Sequence, residues 1–236
     1  MRVLGLIPAR GGSKGVPRKN LCVIAGKPLL EYTAVAALDA HRLSRIVLST
    51  EDEEIAEVGR HYGVEVPFLR PKALAQDTTP MLPVVQHALR MLTAAGDRFD
   101  AVCLLQPTNP LRRASDIDQA IGLLERTGAD SVISFVEVGD THPARMKYLT
   151  AEGRVIDPPF AEEVEGQRRQ DLPQLYLREG SIYLTRTPVI VERDSLQGDH
   201  CQALIISPER ACNIDTALDL FIAEQLLKRE LGIGCV

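Results

Sequence analysis

The chain has 236 residues, of which 27 are Lys or Arg and 32 are Asp or Glu, so its formal net charge at pH 7 is −5. Hydrophobic residues make up 45% and charged residues 25%, a balance typical of a globular protein that buries its own core. The acidic balance argues against general nucleic-acid binding, and no apolar run reaches the roughly 18 residues of a transmembrane helix. The N-terminal apolar stretch is too short for a signal peptide, so we expect a cytoplasmic protein with no membrane partner.

Cysteine and histidine spacing leaves a zinc site possible only through distant ligands and favours ordinary cysteines and surface histidines. The sequence holds five cysteines without a C-x-x-C pair and five histidines without an H-E-x-x-H motif. An odd number of cysteines, some of them in or beside apolar runs, fits a reducing compartment.

Over the first 138 residues, short apolar runs alternate with segments of helical period. In chain order the pattern predicts a strand at Val3–Pro8, a helix at Pro28–Ala40, a strand at Arg45–Ser49, a helix from a Thr50–Glu53 capping box to Tyr62, a strand at Glu65–Leu69, a helix at Thr79–Ala95, a strand at Ala101–Gln106, a helix from Ser115 to Thr127 and a strand at Ser131–Val138. This alternation predicts an α/β fold in three layers, with a mainly parallel sheet covered on both faces.

The pattern changes after residue 138. The segment 139–175 is rich in Pro, Gly and charged residues and is too long for an ordinary connection. We expect one domain over 1–236, in which 139–175 is a small excursion that acts as a lid or meets a second subunit. Strands at Gln174–Thr185, Val189–Val191 and Ala203–Ser207 and a helix at Thr216–Glu230 complete the prediction.

The loop after the first predicted strand carries the strongest functional signal. It reads PARGGSKG at 8–15, followed by PRKN at 17–20. Its three glycines let backbone N–H groups approach a phosphate, and four cations lie between positions 10 and 19: Arg10, Lys14, Arg18 and Lys19. This combination at the carboxyl end of a strand favours a polyanionic nucleotide over a solvated surface loop.

Three familiar motifs describe this loop less well. The spacing fails both the Walker A pattern and the G-x-G-x-x-G dinucleotide pattern. Residues 11–15 match the G-x-S-x-G pattern of a nucleophile elbow, but Pro17 and a basic run follow where such an elbow needs a tight turn into a helix. A hydrolase is therefore not favoured.

Four blocks in order along the chain carry a resemblance to a known family. They are IPARGGSKGVPRKNL with GKPL at 26–29, LQPTNPLR at 105–112, REGSIY at 178–183 and NIDT at 213–216. Together they resemble the acylneuraminate cytidylyltransferases, which make CMP-activated nonulosonic acids such as CMP-sialic acid. The resemblance implies a nucleotide-diphospho-sugar transferase-like, Rossmann-like fold and a homodimer.

The resemblance also implies a reaction and a nucleotide site. The anomeric hydroxyl of a nonulosonic sugar acid attacks the α-phosphate of CTP, which gives the CMP-sugar and pyrophosphate and requires Mg²⁺. Arg10 and Lys19 are expected to hold the CTP phosphates, with help from the loop residues Ala9, Gly11, Gly12 and Ser13. Asn20 is expected to help seat the nucleotide, and Arg70 either lies near the cytosine ring or is a surface arginine before a proline turn.

For the sugar acid, the resemblance points to the later blocks. Gln106 is expected to contact sugar hydroxyl or amide groups, Gly180 belongs to the substrate-binding segment, and Arg178 offers a two-pronged contact to the sugar carboxylate. Lys147 is the other candidate for that carboxylate, or a solvated lysine. Asp215 is expected to be a Mg²⁺ ligand, to cap the last helix, or both.

Three positions depart from the family pattern. Asn109 stands where the family usually has Ser, Glu179 where it often has Asn, and Asn213 where it has the first of two Asp residues. An Asn213 carbonyl can ligate a metal or hold a metal-bound water but adds no charge. Two rival functions stay open at this point: nucleotidyl transfer to another sugar acid or a sugar phosphate, and non-catalytic nucleotide binding by a regulator.

Overall fold

The computed structural model describes residues 1–233, and Cys235 lies outside the described residues. Its strands are β1 (Val3–Pro8), β2 (Val23–Ile24), β3 (Lys27–Pro28), β4 (Arg45–Ser49), β5 (Ala101–Leu104), β6 (Ser131–Glu137), β7 (Tyr148–Leu149), β8 (Val155–Ile156), β9 (Tyr176–Arg186) and β10 (Cys201–Ile205). Its α-helices are α1 (Leu29–Leu38), α2 (Glu53–His61), α3 (Met81–Ala94), α4 (Ala114–Thr127), α5 (Thr187–Glu192) and α6 (Ala217–Glu230).

Six strands form one sheet in the order β10-β6-β9-β5-β1-β4. The strand β1 pairs in parallel with both β4 and β5, and β10 pairs in parallel with β6. The long strand β9 runs antiparallel between β5 and β6. The sheet is therefore mainly parallel, as the alternating sequence pattern predicts.

Helices cover the sheet on both faces because the residues of β1 alternate between them. Val3 and Ile7 belong to a core cluster with side chains of α1, α2 and α4, whereas Leu4 and Leu6 pack with α3 and α5. A third cluster joins α6 to the β2–β3 hairpin and to Leu111. The structure thus confirms the three-layer α/β class.

Two predicted strands differ from the structure. Val189–Val191 belongs to the helix α5, because Pro188 in its first turn fixes a helical φ and Val189 and Ile190 are buried. The prediction at Glu65–Leu69 reduces to a single parallel bridge between Glu65 and Val47. Pro67 has no N–H to continue that ladder.

The starts of two helices also differ from the sequence prediction. The cap of α2 is Asp52 instead of Thr50: its Oδ1 accepts a hydrogen bond from the N–H of Ile55 at 3.1 Å. The helix α4 begins one residue before the predicted Ser115. At α6 the predicted start is confirmed, since Thr216 and Asp219 exchange backbone and side-chain hydrogen bonds in a capping box.

The segment 139–175 contains the short hairpin β7–β8 and two turns of 3-10 helix. Its ends are held together by His142, whose Nε2 lies 2.9 Å from the carbonyl oxygen of Pro173. The hairpin exposes apolar side chains, among them Tyr148, Leu149, Val155 and Ile156. No helix within residues 1–233 has the length and apolarity needed to cross a membrane.

Candidate active site

The loop after β1 approaches two neighbouring segments closely, and its glycines allow that approach. A Cβ on Gly15 would stand 1.9 Å from the carbonyl oxygen of Asp215. A Cβ on Gly11 would stand 2.4 Å from Oδ2 of Asp52. The loop therefore needs glycine at these positions to lie against the start of α2 and the segment before α6.

A cavity of about 240 Å³ opens where β1 and β5 end. It thus lies at the carboxyl edge of two adjacent parallel strands, the edge that binds ligands in open α/β sheets. Of the predicted site residues it brings together Arg10, Gly12, Ser13, Lys19, Asn20, Arg70 and Gln106. Further lining residues include Gln76, Asp77, Thr79 and Thr108.

Two loop cations share one carboxylate at the mouth of this cavity. Asp77 lies 2.7 Å from Nη1 of Arg10 and 3.0 Å from Nζ of Lys14. The hydrogen bond from Lys14, together with the charge of Arg10, holds the pKa of the Asp77 carboxyl below its usual value. Asp77 therefore stays ionised and pairs with both loop cations.

Arg18, the third cation of the loop, faces away from this group. It adopts a left-handed backbone conformation with φ 54°, and its Nη1 lies 2.7 Å from Oδ2 of Asp52. It also pairs with Glu54, and the hydrogen bond with Asp52 raises the pKa of Arg18. Arg18 therefore ties the loop to the first turn of α2.

Lys19 connects the loop to the segment before α6. Its ammonium donates a hydrogen bond to the carbonyl oxygen of Ile214 and lies 3.1 Å from Oδ1 of Asp215. The Lys19 side chain is 12% exposed, whereas that of Asp215 is 65% exposed. The lysine is thus held in place at the cavity wall while the carboxylate faces solvent.

Glu51 joins the loop to Arg70. Its Oε1 accepts a hydrogen bond from the N–H of Gly11 at 2.8 Å, and its Oε2 lies 2.9 Å from Nη2 of Arg70. Arg70 is buried instead of lying on the surface, and its Nε has no hydrogen-bond partner among the described residues. The Gly11 N–H is thus engaged by Glu51, and Gly11 does not line the cavity, whereas Gly12 and Ser13 do.

Two further predicted residues support the loop from within. Ala9 is fully buried, and its N–H donates to the carbonyl oxygen of Ser49 at 3.0 Å. The Asn20 amide donates to the carbonyl oxygen of Arg10 at 2.9 Å and also lines the cavity. Asn20 thereby fixes the backbone that carries the Arg10 guanidinium.

Arg112 organises the turn that presents Gln106. Its guanidinium is buried and donates to the carbonyl oxygen of Gln106, to that of Ser181 at 2.7 Å and to Oγ1 of Thr33 at 2.9 Å. Burial lowers the pKa of Arg112 to about 10. Three bonds to neutral oxygens hold this cation in the interior, and they fix the turn between β5 and α4.

Both carboxylate oxygens of Asp215 contact neighbouring side chains. Its Oδ1 faces Lys19, and its Oδ2 accepts from the Asn213 amide at 2.6 Å. In residues 1–233 no three His, Cys, Asp or Glu side chains group in a way that could hold a metal ion. One exposed carboxylate with an adjacent amide fits a Mg²⁺ that takes its other ligands from substrate phosphates and water.

The two candidates for the sugar carboxylate do not line the cavity in the described chain. The Arg178 side chain is exposed and lies over the Tyr183 ring, with its guanidinium carbon 5.8 Å from the ring centroid. Lys147, in the segment 139–175, pairs with Asp157, and this contact raises the pKa of Lys147. Of the two candidates, Arg178 is therefore the one whose guanidinium pairs with no carboxylate within residues 1–233.

Gly180 lies next to two of the three residues that depart from the family pattern, Asn109 and Glu179. Its φ is 90°, and a Cβ on it would lie 3.6 Å from Nδ2 of Asn109. Next to it, the buried Glu179 carboxylate accepts from the N–H and the hydroxyl of Ser181, while its Oε2 has no partner among the described residues. The third departure, Asn213, also lies beside Asn109.

Sequence reasoning missed two acidic residues of the site, Glu51 and Asp77. Glu51 follows the carboxyl end of β4, the same sheet edge that carries the loop, so its position was a usable signal. Asp77 lies in the connection before α3 and carries no such signal. Its role follows only from its distances to Arg10 and Lys14.

Comparison with known proteins gives matches over nearly the whole chain. A model of the cytidylyltransferase family matches residues 4–197. The CMP-N,N'-diacetyllegionaminic acid synthase of Legionella pneumophila is 34% identical over 229 residues, which cover 97% of this chain and 97% of that protein. The pseudaminic acid cytidylyltransferase of Campylobacter jejuni matches with the same identity and the same coverage.

A solved structure has the same fold. The CMP:2-keto-3-deoxy-manno-octonic acid synthetase, complexed with CTP, superposes with a TM-score of 0.74 over 98% of this chain and 100% of its own. At 15% sequence identity this likeness concerns the fold alone.

Proposed function

The chain belongs to the cytidylyltransferase family, and from that premise we propose that it transfers CMP from CTP to the anomeric hydroxyl of a nonulosonic sugar acid and releases pyrophosphate. The observation that carries this proposal is the cavity at the ends of β1 and β5. It places the cations Arg10, Lys19 and Arg70 beside Gln106, at the sheet edge where α/β proteins bind ligands.

The cations of the cavity suit the charge that develops during transfer. As the anomeric oxygen bonds to the α-phosphorus and the bond to pyrophosphate breaks, negative charge grows on the phosphoryl oxygens and the leaving group. Lys19 is held in place by its hydrogen bond to the Ile214 carbonyl and Asn20 fixes the Arg10 backbone, so both cations would stabilise this charge once the triphosphate displaces Asp77 from the Arg10 guanidinium. Both reactants are anions, and positioning them side by side is the second contribution of these groups.

Arg70 is the proposed contact for the cytosine ring. It is buried in the cavity wall, and its Nε lacks a partner among residues 1–233. A buried donor without an acceptor costs about 1–3 kcal/mol, which a base carbonyl oxygen in the cavity would recover. Cytosine and uracil both present such a carbonyl oxygen, so this contact would hold a pyrimidine base without by itself separating CTP from UTP.

We assign the Mg²⁺ site to Asp215, with Asn213 beside it. The bound ion would draw negative charge from the triphosphate and orient it. Lys19 contacts the Asp215 carboxylate, so the same lysine links the metal end of the site to the loop that carries Arg10. Because the protein offers a single carboxylate here, metal binding should depend on the phosphates of CTP.

Arg178 is the proposed contact for the sugar carboxylate, and Gln106 and Gly180 are further proposed contacts for the sugar. An arginine offers two parallel N–H donors to a carboxylate, and Arg178 carries no competing ion pair in the described chain. The acid itself is of the legionaminic, pseudaminic or neuraminic kind, in keeping with the relatives.

We further propose a cytoplasmic homodimer. The segment 139–175 exposes Tyr148, Leu149, Val155 and Ile156 on a hairpin of two residues per strand, which buries little of its own apolar surface. A second subunit would cover these side chains. The cytoplasm supplies CTP and keeps thiols reduced, and the four described cysteines are unpaired.

The test is pyrophosphate release on mixing the protein with CTP and a panel of nonulosonic acids, with UTP and GTP as alternative nucleotides. We expect release with CTP and at least one acid, and a loss of at least about tenfold in Arg10→Ala. Release with a sugar phosphate instead would favour the first rival. CTP binding without turnover on any acceptor would favour a regulator and contradict the proposal.

A further inference from the structure

The residues that follow β4 hold Arg70 both by its backbone and by its side chain. The carbonyl oxygen of Thr50, which is fully buried, accepts a hydrogen bond from the N–H of Arg70 at 2.7 Å. Oε2 of Glu51 lies 2.9 Å from Nη2 of Arg70. The side chains of Arg70 and Glu51 are only 3% and 13% exposed, so solvent screens this ion pair weakly.

The other oxygen of Glu51 holds one peptide unit of the glycine loop, the unit that joins Arg10 to Gly11. Oε1 of Glu51 accepts from the Gly11 N–H at 2.8 Å, and the Asn20 amide donates to the Arg10 carbonyl oxygen at 2.9 Å. The N–H and C=O of a trans peptide point in opposite directions, so these two bonds fix the plane of the unit from its two sides. They thereby fix the backbone from which the Arg10 side chain departs.

A glutamate can serve both partners at once because an ionised carboxylate has two acceptor oxygens and no donor. A glutamine has one oxygen and would turn its NH₂ group toward a second donor, either the Gly11 N–H or the Arg70 guanidinium. In the described chain Glu51 does not line the cavity, whereas Arg10 and Arg70 do. Its effect on a bound nucleotide would therefore pass through these two cations.

We propose that Glu51 is a positioning residue for the nucleotide: one carboxylate oxygen sets the Arg10 end of the cavity, and the other sets Arg70. This inference rests on the proposed function, because it takes Arg10 to meet the phosphates and Arg70 to meet the cytosine ring. The phosphate end and the base end of the site then depend on one side chain that contacts neither ligand group.

Two double variants test the bond to Gly11. Arg70→Met/Glu51→Gln and Arg70→Met/Glu51→Met both replace the buried ion pair as a whole, a change that folded proteins often tolerate. They differ in whether position 51 offers an oxygen to the Gly11 N–H. Isothermal titration calorimetry with inorganic tripolyphosphate should give about fivefold weaker binding in the variant with Glu51→Met, as expected for loss of one hydrogen bond that orients a binding group.

The bond to Arg70 is tested by Glu51→Met alone. The ratio of the CTP affinity to the tripolyphosphate affinity reports what the cytidine contributes, because changes at the phosphate end affect both ligands and cancel. This ratio should fall about tenfold in Glu51→Met, the effect of losing one hydrogen bond from a charged group. Adding Arg70→Met to Glu51→Met should then change the ratio about twofold or less, because an arginine that is no longer held contributes little.

Equal tripolyphosphate binding by the two double variants would overturn the inference, and so would a wild-type ratio in Glu51→Met. If Glu51→Met does not fold, the comparison of the two double variants decides. The wild-type chain separates this inference from the proposed function. Wild-type binding of CTP no tighter than that of tripolyphosphate rejects the proposed function, whereas a clear preference for CTP with equal double variants rejects only the role of Glu51.

Discussion

The carbonyl oxygen of Asp215 lies where a side chain on Gly15 would begin, 1.9 Å from the Cβ position. This contact sets the distance between the cationic loop and the segment that carries the proposed metal ligand. Lys19 spans the same gap with its bond to Asp215. The two halves of the site are therefore held in register by a backbone contact that only glycine permits.

Gly15→Ala should reduce kcat/KM for CTP by about 100-fold, because the added methyl must push the loop and Asp215 apart by an ångström or more. Steady-state pyrophosphate release measures this loss. Gly139→Ala is the matched control, since its Cβ would meet only Arg169 at 3.8 Å and its φ is not positive. Comparable losses in the two variants, or wild-type kinetics in Gly15→Ala, would contradict the role given to this contact.

Asp77→Asn should tighten CTP binding by about two- to fivefold, the range of an exposed ion-pair competitor. The carboxylate now neutralises Arg10 and Lys14, and a triphosphate must displace it. Because its pKa lies below the usual value, Asp77 is ionised throughout pH 6–8, so the gain should not vary with pH in that range. Isothermal titration calorimetry with CTP at two pH values measures the affinity of both proteins. Weaker binding by Asp77→Asn would contradict the prediction and show that this carboxylate favours nucleotide binding.

Glu51→Gln should destabilise the fold by about 3 kcal/mol, because it leaves the buried Arg70 guanidinium without its counter-charge. The side chains of Arg70 and Glu51 are 3% and 13% exposed. Urea unfolding gives the free energy of unfolding for this variant and for Glu125→Gln, which breaks the exposed pair with Arg42. The control should lose about 1 kcal/mol or less. Equal losses in both variants would mean that burial of the Glu51–Arg70 pair does not matter.

The sequence pattern predicted the strands β1 and β4 to the residue, because each is a short apolar run ended by a turn. It also predicted the last helix from Thr216 to Glu230, and the structure has α6 over Ala217–Glu230 with Thr216 as its cap. The strand predicted at Val189–Val191 is wrong, because three apolar residues fit a buried strand and a buried helix equally well. Contacts such as Asp77 with Arg10 join residues 67 positions apart, and no local pattern encodes them.

Arg178→Lys should raise KM for the sugar acid about tenfold and leave KM for CTP unchanged. A lysine keeps the charge but cannot make two parallel hydrogen bonds to a carboxylate, and one charged hydrogen bond is worth about 1.5–3 kcal/mol. The Arg178 guanidinium stacks on Tyr183 and is exposed toward solvent, so it is free to turn to a substrate.

Lys147→Met is the control variant. Lys147 already pairs with Asp157, so its removal should leave both KM values near wild type. A rise in sugar KM confined to Lys147→Met would transfer the carboxylate contact to the segment 139–175. An effect of Arg178→Lys on CTP alone would move Arg178 to the nucleotide side of the site.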